Sequence, residues 1–154
     1  MELLQETLKA ISPNNLEAMR LTREKWDSKV HPIGSLGTLE EVTIKLAGIT
    51  GSISNKIDKK AIVVMCSDNG VVDEGVSSAP QIFTRLLTEI MAKGITGVAT
   101  LAKFTNTDII TVDIGLNGEM NNPKVINRKI ANGTKNFTKE SAMSYEDAIK
   151  SIEI

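Results

Sequence analysis

The spacing of apolar residues divides the chain into an N-terminal helical part and a later part that mixes strands with helices. In the first part, apolar residues recur about every three to four positions, which predicts two amphipathic helices. Ser12–Pro13 is predicted to cap and open the first helix, and Thr38–Glu41 has the spacing of a capping box for the second. The breaker cluster His31–Gly34 separates the two helices. The polar segment Gly51–Asn55 then connects them to the rest of the chain.

Three segments of the second part are predicted to be strands. Ala61–Cys66 is an unbroken apolar run with β-branched residues, as in a strand covered on both faces, and Asp108–Asp113 is the second strand candidate. Val125–Arg128 is a weaker third candidate. Because long helical crossovers separate the strands, the pattern predicts an α/β fold with a parallel sheet. The helices are predicted at Pro80–Lys93, around Val98–Ala102 and from Ser144 onward.

Composition narrows the class of protein. The chain has 154 residues, of which 41% are hydrophobic and 3% aromatic, so its core must be mainly aliphatic. A net charge of -1 without basic tracts disfavours nucleic-acid binding, and no apolar run approaches the roughly 20 residues that span a bilayer. The acidic start Met1–Glu6 is unlike a secretory signal, and a lone Cys66 suggests a buried thiol. We therefore expect a cytoplasmic protein with neither a nucleic-acid nor a membrane partner.

Candidate chemistry lies where the parallel strands end, because ligands bind beyond their carboxyl ends. Ser67–Gly70 and Asp113–Gly115 occupy these positions. By spacing alone, Asn69 and Gly70 favour a β-hairpin, whereas Asp113 is equally a turn former or an acceptor for a ligand hydroxyl. The usual phosphate-binding motifs are missing, and one His and one Cys disfavour a metal site. No cofactor is predicted.

Four sequence strings, taken together, indicate a protein family. They are Pro32–Glu40, Val63–Val76, Gly94–Val98 and Gly133–Phe137, the last followed by Ala142–Ser144. In order and spacing they resemble the signatures of the nicotinate-nucleotide:dimethylbenzimidazole phosphoribosyltransferase family. The resemblance covers essentially this whole chain, but only the N-terminal half of the family.

The resemblance implies transfer of ribose 5-phosphate from nicotinate mononucleotide to 5,6-dimethylbenzimidazole or a related base. The products are nicotinate and α-ribazole phosphate, which supplies the lower ligand of cobalamin. It also implies a small helical domain, expected at residues 1–55, and a Rossmann-like domain with helices on both faces, expected at 56–154. In such a fold the segment around Asp68 is a loop that leaves a strand, not a hairpin.

Catalytic residues are not expected within this chain. In the family, the general-base glutamate and the glycine-rich phosphate segment lie in the C-terminal half. The expected partners are the two small-molecule substrates and either a second copy in a homodimer or a separate C-terminal half. We therefore expect the chain alone to be inactive.

The resemblance assigns substrate-binding roles to residues of three segments. These residues are Pro32, Gly34, Ser35, Asp68, Asn69, Gly70, Ala79, Phe83 and Leu87. Ala79 and Leu87 stand where some members have serine and glutamine, so the base pocket is expected to be more apolar, although packing explains Leu87 equally well. His31 and Asn69 stand where members commonly have lysine and histidine. The acceptor therefore stays open among phenols, purines and benzimidazoles.

Two other hypotheses stay open at this stage. The chain could be a noncatalytic module that binds the lower-ligand base or regulates its use. It could also be a truncated product without stable function, because a parallel sheet without its remaining strands has an unpaired apolar edge. Such an edge predicts self-association or pairing with a C-terminal half.

Overall fold

Contacts within the chain divide it into two units. The structure, a computed structural model, describes residues 2–154. One unit is Gln5–Asp58, and the other joins residues 2–4 to Lys59–Ile154. The division falls close to the joint predicted after residue 55, while the assignment of two domains to 1–55 and 56–154 stays a prediction.

The helical unit is built around the two apolar stripes that the sequence predicted. Its helices are α2 at Leu16–Asp27 and α3 at Thr38–Thr50, and α1 at Glu2–Ala10, which the sequence analysis missed, precedes them. The helices α2 and α3 pack on each other through the buried residues Ala18, Ile44 and Ala47. The Trp26 indole N–H donates to Thr43 Oγ1 at 2.7 Å and ties the two helices together.

Both predicted helix starts in this unit are wrong in detail. Asn15, not Ser12–Pro13, caps α2: its Oδ1 accepts from the Ala18 amide at 2.9 Å. The Asn15 amide also donates to the Gly48 carbonyl of α3 at 2.8 Å, so a contact between helices fixes this start. Thr38 is the first residue of α3 rather than its cap. No reciprocal capping box forms there.

The second unit contains a three-stranded parallel sheet in the order β1-β2-β3. The predicted parallel α/β arrangement is confirmed. Its strands are β1 at Ala61–Ser67, β2 at Asp108–Gly115 and β3 at Val125–Asn127. Its helices are a 3-10 helix at Gly70–Glu74, α4 at Ile82–Ala92, α5 at Gly97–Phe104 and α6 at Tyr145–Ile152.

The most buried part of this unit is the carboxyl half of β2. Thr111 and Asp113 are 1% exposed, and Leu116, just after the strand, is fully buried. The helix α4 packs on all three strands, and α5 packs on β2. Ser144 caps α6 by accepting from the Asp147 amide, as the sequence predicted. The core therefore lies under the end of the sheet at which parallel strands present their ligand-binding loops.

Apolar residues of β1 and α4 lie largely on the surface. Val63 and Met65 are each 53% exposed, and Phe83 and Leu87 of α4 are 48% and 47% exposed. The predicted stripe of α4 is thus present, but it is only partly covered. Among residues 2–154, every helix is too short or too polar to cross a bilayer.

Candidate functional site

The loops that follow β1 and β2 are joined by hydrogen bonds at the carboxyl edge of the sheet. The Asp68 amide donates to the Gly115 carbonyl at 3.0 Å, and Asp68 Oδ2 accepts from the Asn117 amide at 2.8 Å. Asp68 is only 4% exposed. The hairpin that spacing alone favoured at Asn69–Gly70 is therefore wrong, because the chain leaves the strand and enters the 3-10 helix. The loop implied by the family resemblance is observed.

A third segment, Gly133–Asn136, completes this edge. The Thr134 amide donates to the Asp68 carbonyl and the Gly70 amide donates to the Thr134 carbonyl, both at 3.0 Å. Asn69 and Thr134 pair as an isolated parallel bridge. A Cβ at Gly70 would lie 2.6 Å from the Thr134 carbonyl oxygen, so only glycine permits this approach. One of the strings that carried the resemblance thus packs on another.

Glu74 fastens the 3-10 helix to the same segment. Its Oε1 accepts from Asn136 Nδ2 at 2.6 Å and from Thr138 Oγ1 at 3.2 Å, and it lies 3.1 Å from Lys139 Nζ. These contacts, the Asn136 hydrogen bond first, hold the pKa of Glu74 below its ordinary value of 4.5. The carboxylate therefore serves as a fixed anchor between two loops.

Asp113, at the end of β2, is held on both sides by protein groups. Its Oδ1 accepts from the amides of Gly115 and Leu116 at 3.0 and 2.8 Å. Its Oδ2 lies 3.4 Å from Lys129 Nζ. Of the two roles open for Asp113, the structure shows the turn former.

Two cavities open on either side of the loop after β1, and Ser67, Asp68 and Asn69 line both. The first, called here the helix-side cavity, has a volume of about 550 Å³ and lies against α4. Its apolar walls come from the 3-10 helix, the following loop and α4: Val71, Val72, Val76, Ala79, Phe83, Leu87 and Met91. Its size is ordinary for a small-molecule site.

The second, called here the loop-side cavity, has a volume of about 650 Å³. It lies against Gly133–Lys135 and the start of α6. Hydroxyl groups are common on its walls, from Thr134, Ser141, Ser144 and Ser151. The helix-side cavity is also lined by hydroxyl-bearing residues, Ser67, Ser77, Thr84 and Thr88, so both cavities combine apolar walls with hydroxyl groups.

The structure brings most of the predicted site residues to one place. Asp68, Asn69, Ala79, Phe83 and Leu87 all line the helix-side cavity. Gly70 does not line it, but its close contact with Thr134 shapes the loop that does. The substrate-binding role of each residue stays a prediction.

Pro32, Gly34 and Ser35 belong to the helical unit. They lie in the exposed turn between α2 and α3, where the Ser35 amide donates to the Pro32 carbonyl at 3.0 Å. His31 Nδ1 lies 3.2 Å from Ser35 Oγ and 2.9 Å from the Pro32 carbonyl oxygen, so side-chain contacts order the turn. Their predicted role in binding substrate is taken up below as a proposal.

Sequence reasoning missed two residues, one on the helix-side cavity and one that contacts Asp68. Met91 lies on the helix-side cavity, and its spacing from Phe83 and Leu87, four residues per step, was a usable signal. Asn117 had no such signal. Its backbone amide donates a hydrogen bond to Asp68 Oδ2, and its Nδ2 donates to Gln81 Oε1 at 3.0 Å. Within residues 2–154, no cluster of three or more His, Cys, Asp or Glu side chains is arranged to hold a metal ion.

Comparison with known proteins places this geometry in a family. A family model described as phosphoribosyltransferase matches residues 11–154. The chain is 48% identical over 153 residues to the nicotinate-nucleotide–dimethylbenzimidazole phosphoribosyltransferase of Clostridium tetani, and 51% identical over 152 residues to that of Clostridium perfringens strain ATCC 13124. Each alignment covers 99% of this chain and 42% of the relative. The chain thus spans less than half the length of these curated relatives.

A solved structure agrees with the sequence comparison. The crystal structure of nicotinate-nucleotide-dimethylbenzimidazole phosphoribosyltransferase from Thermus thermophilus matches with a TM-score of 0.84 and 32% identity. The match covers 88% of this chain and 42% of the other. The strand-end loops and the segment Gly133–Asn136 therefore belong to a member of the nicotinate-nucleotide–dimethylbenzimidazole phosphoribosyltransferase family.

Proposed function

We propose that this chain provides the acceptor-base part of a phosphoribosyltransferase of cobalamin lower-ligand assembly. The reaction transfers ribose 5-phosphate from nicotinate mononucleotide to 5,6-dimethylbenzimidazole or a related base. A bond forms between the ribose carbon and the base nitrogen, the bond to nicotinate breaks, and the base loses its N–H proton. The products are nicotinate and α-ribazole phosphate.

One observation supports this assignment most strongly. The helix-side cavity joins an apolar helix face, with Phe83 and Leu87, to a polar strand-end loop with Asp68 and Asn69. A flat base requires apolar walls for its ring and polar groups near its reacting nitrogen, and the cavity offers both. We propose that these residues and Ala79 contact the base.

The general base and the other groups that complete the site are proposed to come from outside this chain. We assign no general base to this chain, because Asp113 is held by two amides and Lys129, and Glu74 is held by the Gly133–Asn136 segment and its neighbours. A C-terminal segment of the family, or a second copy of this chain, is proposed to complete the site. The turn with Pro32, Gly34 and Ser35 is proposed to contact substrate in that assembly.

Nicotinate release tests the proposal. The chain is incubated with nicotinate mononucleotide and 5,6-dimethylbenzimidazole, alone and with the part of the Clostridium tetani relative that follows the aligned region. That part alone is the control. We expect release only when both parts are present, because each supplies groups that the other needs.

Two outcomes would change the assignment. If the folded chain binds the base but the mixture releases no nicotinate, the noncatalytic base-binding module is the better function. If the chain neither binds the base nor supports release, the helix-side cavity is not an acceptor site and the proposal is wrong.

A further inference from the structure

Asparagine followed by glycine occurs three times in the chain, at Asn69, Asn117 and Asn132. Asparagine is a thermolabile residue, because the backbone nitrogen that follows it can attack its side-chain amide carbon and close a ring. A following glycine favours this attack, since it lacks a Cβ and reaches backbone angles that other residues avoid. All three asparagines are exposed, so exposure does not decide which of them reacts.

The glycine that follows Asn69 is fixed at the edge of the sheet. The Gly70 amide donates to the Thr134 carbonyl at 3.0 Å, and Asn69 pairs with Thr134 in the isolated bridge. Backbone atoms also lie close around Gly70, since a Cβ there would be 2.6 Å from the Thr134 carbonyl oxygen. Ring closure at Asn69 therefore requires this edge to open first.

The glycine that follows Asn132 is restrained within its own segment. The Gly133 amide donates to the Ala131 carbonyl at 3.1 Å. A Cβ at Gly133 would lie 3.1 Å from the Asp68 carbonyl oxygen, so the backbone here is packed against the loop after β1. Attack by the Gly133 nitrogen therefore requires the loss of a hydrogen bond and a movement away from Asp68.

Neither restraint acts on the amide of Gly118. This amide has no hydrogen-bond partner among residues 2–154, and nothing lies within 4 Å of the place that a Cβ would take. The carbonyl of Gly118 accepts from the Lys129 ammonium, which leaves the nitrogen unoccupied. The Asn117 side chain has one hydrogen bond, from Nδ2 to Gln81 Oε1, and it is exposed. Water replaces an exposed hydrogen bond of this kind at little cost in free energy.

We infer that Asn117–Gly118 is a self-modification site, at which the folded chain deamidates faster than at its other two asparagine–glycine pairs. The Gly118 nitrogen bonds to Asn117 Cγ, the bond from Cγ to Nδ2 breaks, and ammonia leaves with the amide proton. Water then opens the succinimide ring, which gives aspartate or isoaspartate at position 117. The reaction needs water but no enzyme, substrate or cofactor, so it is independent of the proposed function.

The product adds a negative charge beside a buried carboxylate. The Asn117 backbone amide donates to Asp68 Oδ2 at 2.8 Å, and Asp68 is only 4% exposed. A carboxylate at position 117 repels that of Asp68, and isoaspartate also lengthens the backbone that presents the amide. Deamidation is therefore expected to weaken the contact between the loops that follow β1 and β2.

Peptide mass spectrometry of the aged chain tests the site. Trypsin places the three pairs on separate peptides, residues 61–85, 104–124 and 130–135, and fragmentation distinguishes Asn117 from the other asparagines of its peptide. In the folded chain, at a pH above neutral, we expect Asn117 to convert at least about tenfold faster than Asn69 or Asn132, because both of these require local opening. A sample digested without incubation gives the background of the digestion itself.

The same chain in denaturing urea is the control for intrinsic reactivity. There the hydrogen bonds of Gly70 and Gly133 are lost, so the three rates should agree within a few-fold. Conversion of Asn69 or Asn132 as fast as that of Asn117 in the folded chain would overturn the inference. It would also be overturned if Asn117 stayed intact in the folded chain while it converted in urea.

Two variants that imitate the product test its effect. Asn117→Asp adds the charge beside Asp68, and Asn121→Asp adds the same charge to the same connection between β2 and β3. Asn121 is also exposed, and its side chain has no hydrogen bond among residues 2–154. We expect Asn117→Asp to lower the urea midpoint of unfolding and Asn121→Asp to leave it unchanged, and equal midpoints would contradict the weakened contact. The mass-spectrometric comparison uses the unsubstituted chain, so it decides the site even if Asn117→Asp does not fold.

Discussion

Asp68 and Asp113 end neighbouring parallel strands, yet their side chains have different partners. Both are buried, at 4% and 1% exposure. Asp113 Oδ1 accepts from two amides, and its Oδ2, which has no hydrogen bond, lies 3.4 Å from Lys129 Nζ. Asp68 accepts one hydrogen bond, from the Asn117 amide to Oδ2, and forms no ion pair among the described residues. Asp68 lines both cavities, and Asp113 lines neither. Position at a strand end therefore does not decide between a structural and a ligand-facing carboxylate; the number of protein partners and the position on a cavity wall do.

The largest effect we expect comes from truncating the two aspartates separately. Asp113→Ala should lower the free energy of unfolding by about 3–5 kcal/mol, because Lys129 and two amides lose a buried partner. Asp68→Ala should cost about 1–2 kcal/mol, since it removes one hydrogen bond to the Asn117 amide. Urea unfolding monitored by circular dichroism measures both. Equal losses in the free energy of unfolding would contradict the distinction between a structural Asp113 and a ligand-facing Asp68.

A second test asks whether the loop that carries Asp68 depends on its close contact with Gly133–Asn136. Gly70→Ala should cost about 1–3 kcal/mol, because the new Cβ would meet three backbone atoms at 2.6–2.7 Å. Gly97→Ala is the matched control, since nothing lies within 4 Å of the place its Cβ would take and alanine favours the helix that starts there. Urea unfolding compares them. A loss in the control as large as that in Gly70→Ala would contradict the close-contact explanation.

The smallest effect concerns Glu74 and pH. Its folded pKa is depressed, so its contribution to stability is present above the ordinary value of 4.5 and is lost as pH falls through the folded value. We expect the unsubstituted chain to lose more stability than Glu74→Gln between about pH 5 and pH 3. Thermal melts at a series of pH values measure this. Glu140→Gln, which removes an exposed partner of Lys135, is the control and should retain the pH dependence.

Elements with a strong local pattern could be predicted from the sequence. The apolar runs of β1 and β2 and the stripe of α4 were recognised because each pattern repeats over several residues. The start of α2 was not recognised, because it depends on a hydrogen bond from the Asn15 amide to the carbonyl of Gly48, a residue distant in sequence. Likewise, Asn69–Gly70 has the local pattern of a hairpin, and bonds to Thr134 hold it in another conformation.

The candidate site was predictable in outline only. The family resemblance indicated Asp68, Ala79 and Leu87, and the helical spacing would also have indicated Met91. No pattern in the sequence distinguishes Asp68 from Asp113. Their partners differ because different backbone amides contact each carboxylate in the fold, and Lys129 lies near only Asp113. Hydrogen bonds between distant segments are a property of the assembled fold.

The bridge between Asn69 and Thr134 also bears on local opening of the molecule. The amides of Asp68, Gly70 and Thr134 all donate to backbone carbonyls, as do the amides inside the sheet. Their hydrogen exchange with solvent should therefore require breaking the edge of the sheet, not merely fraying a surface loop. In kinetic terms, the wall between the two cavities is part of the same cooperative unit as β1, so it opens only as often as the strand does.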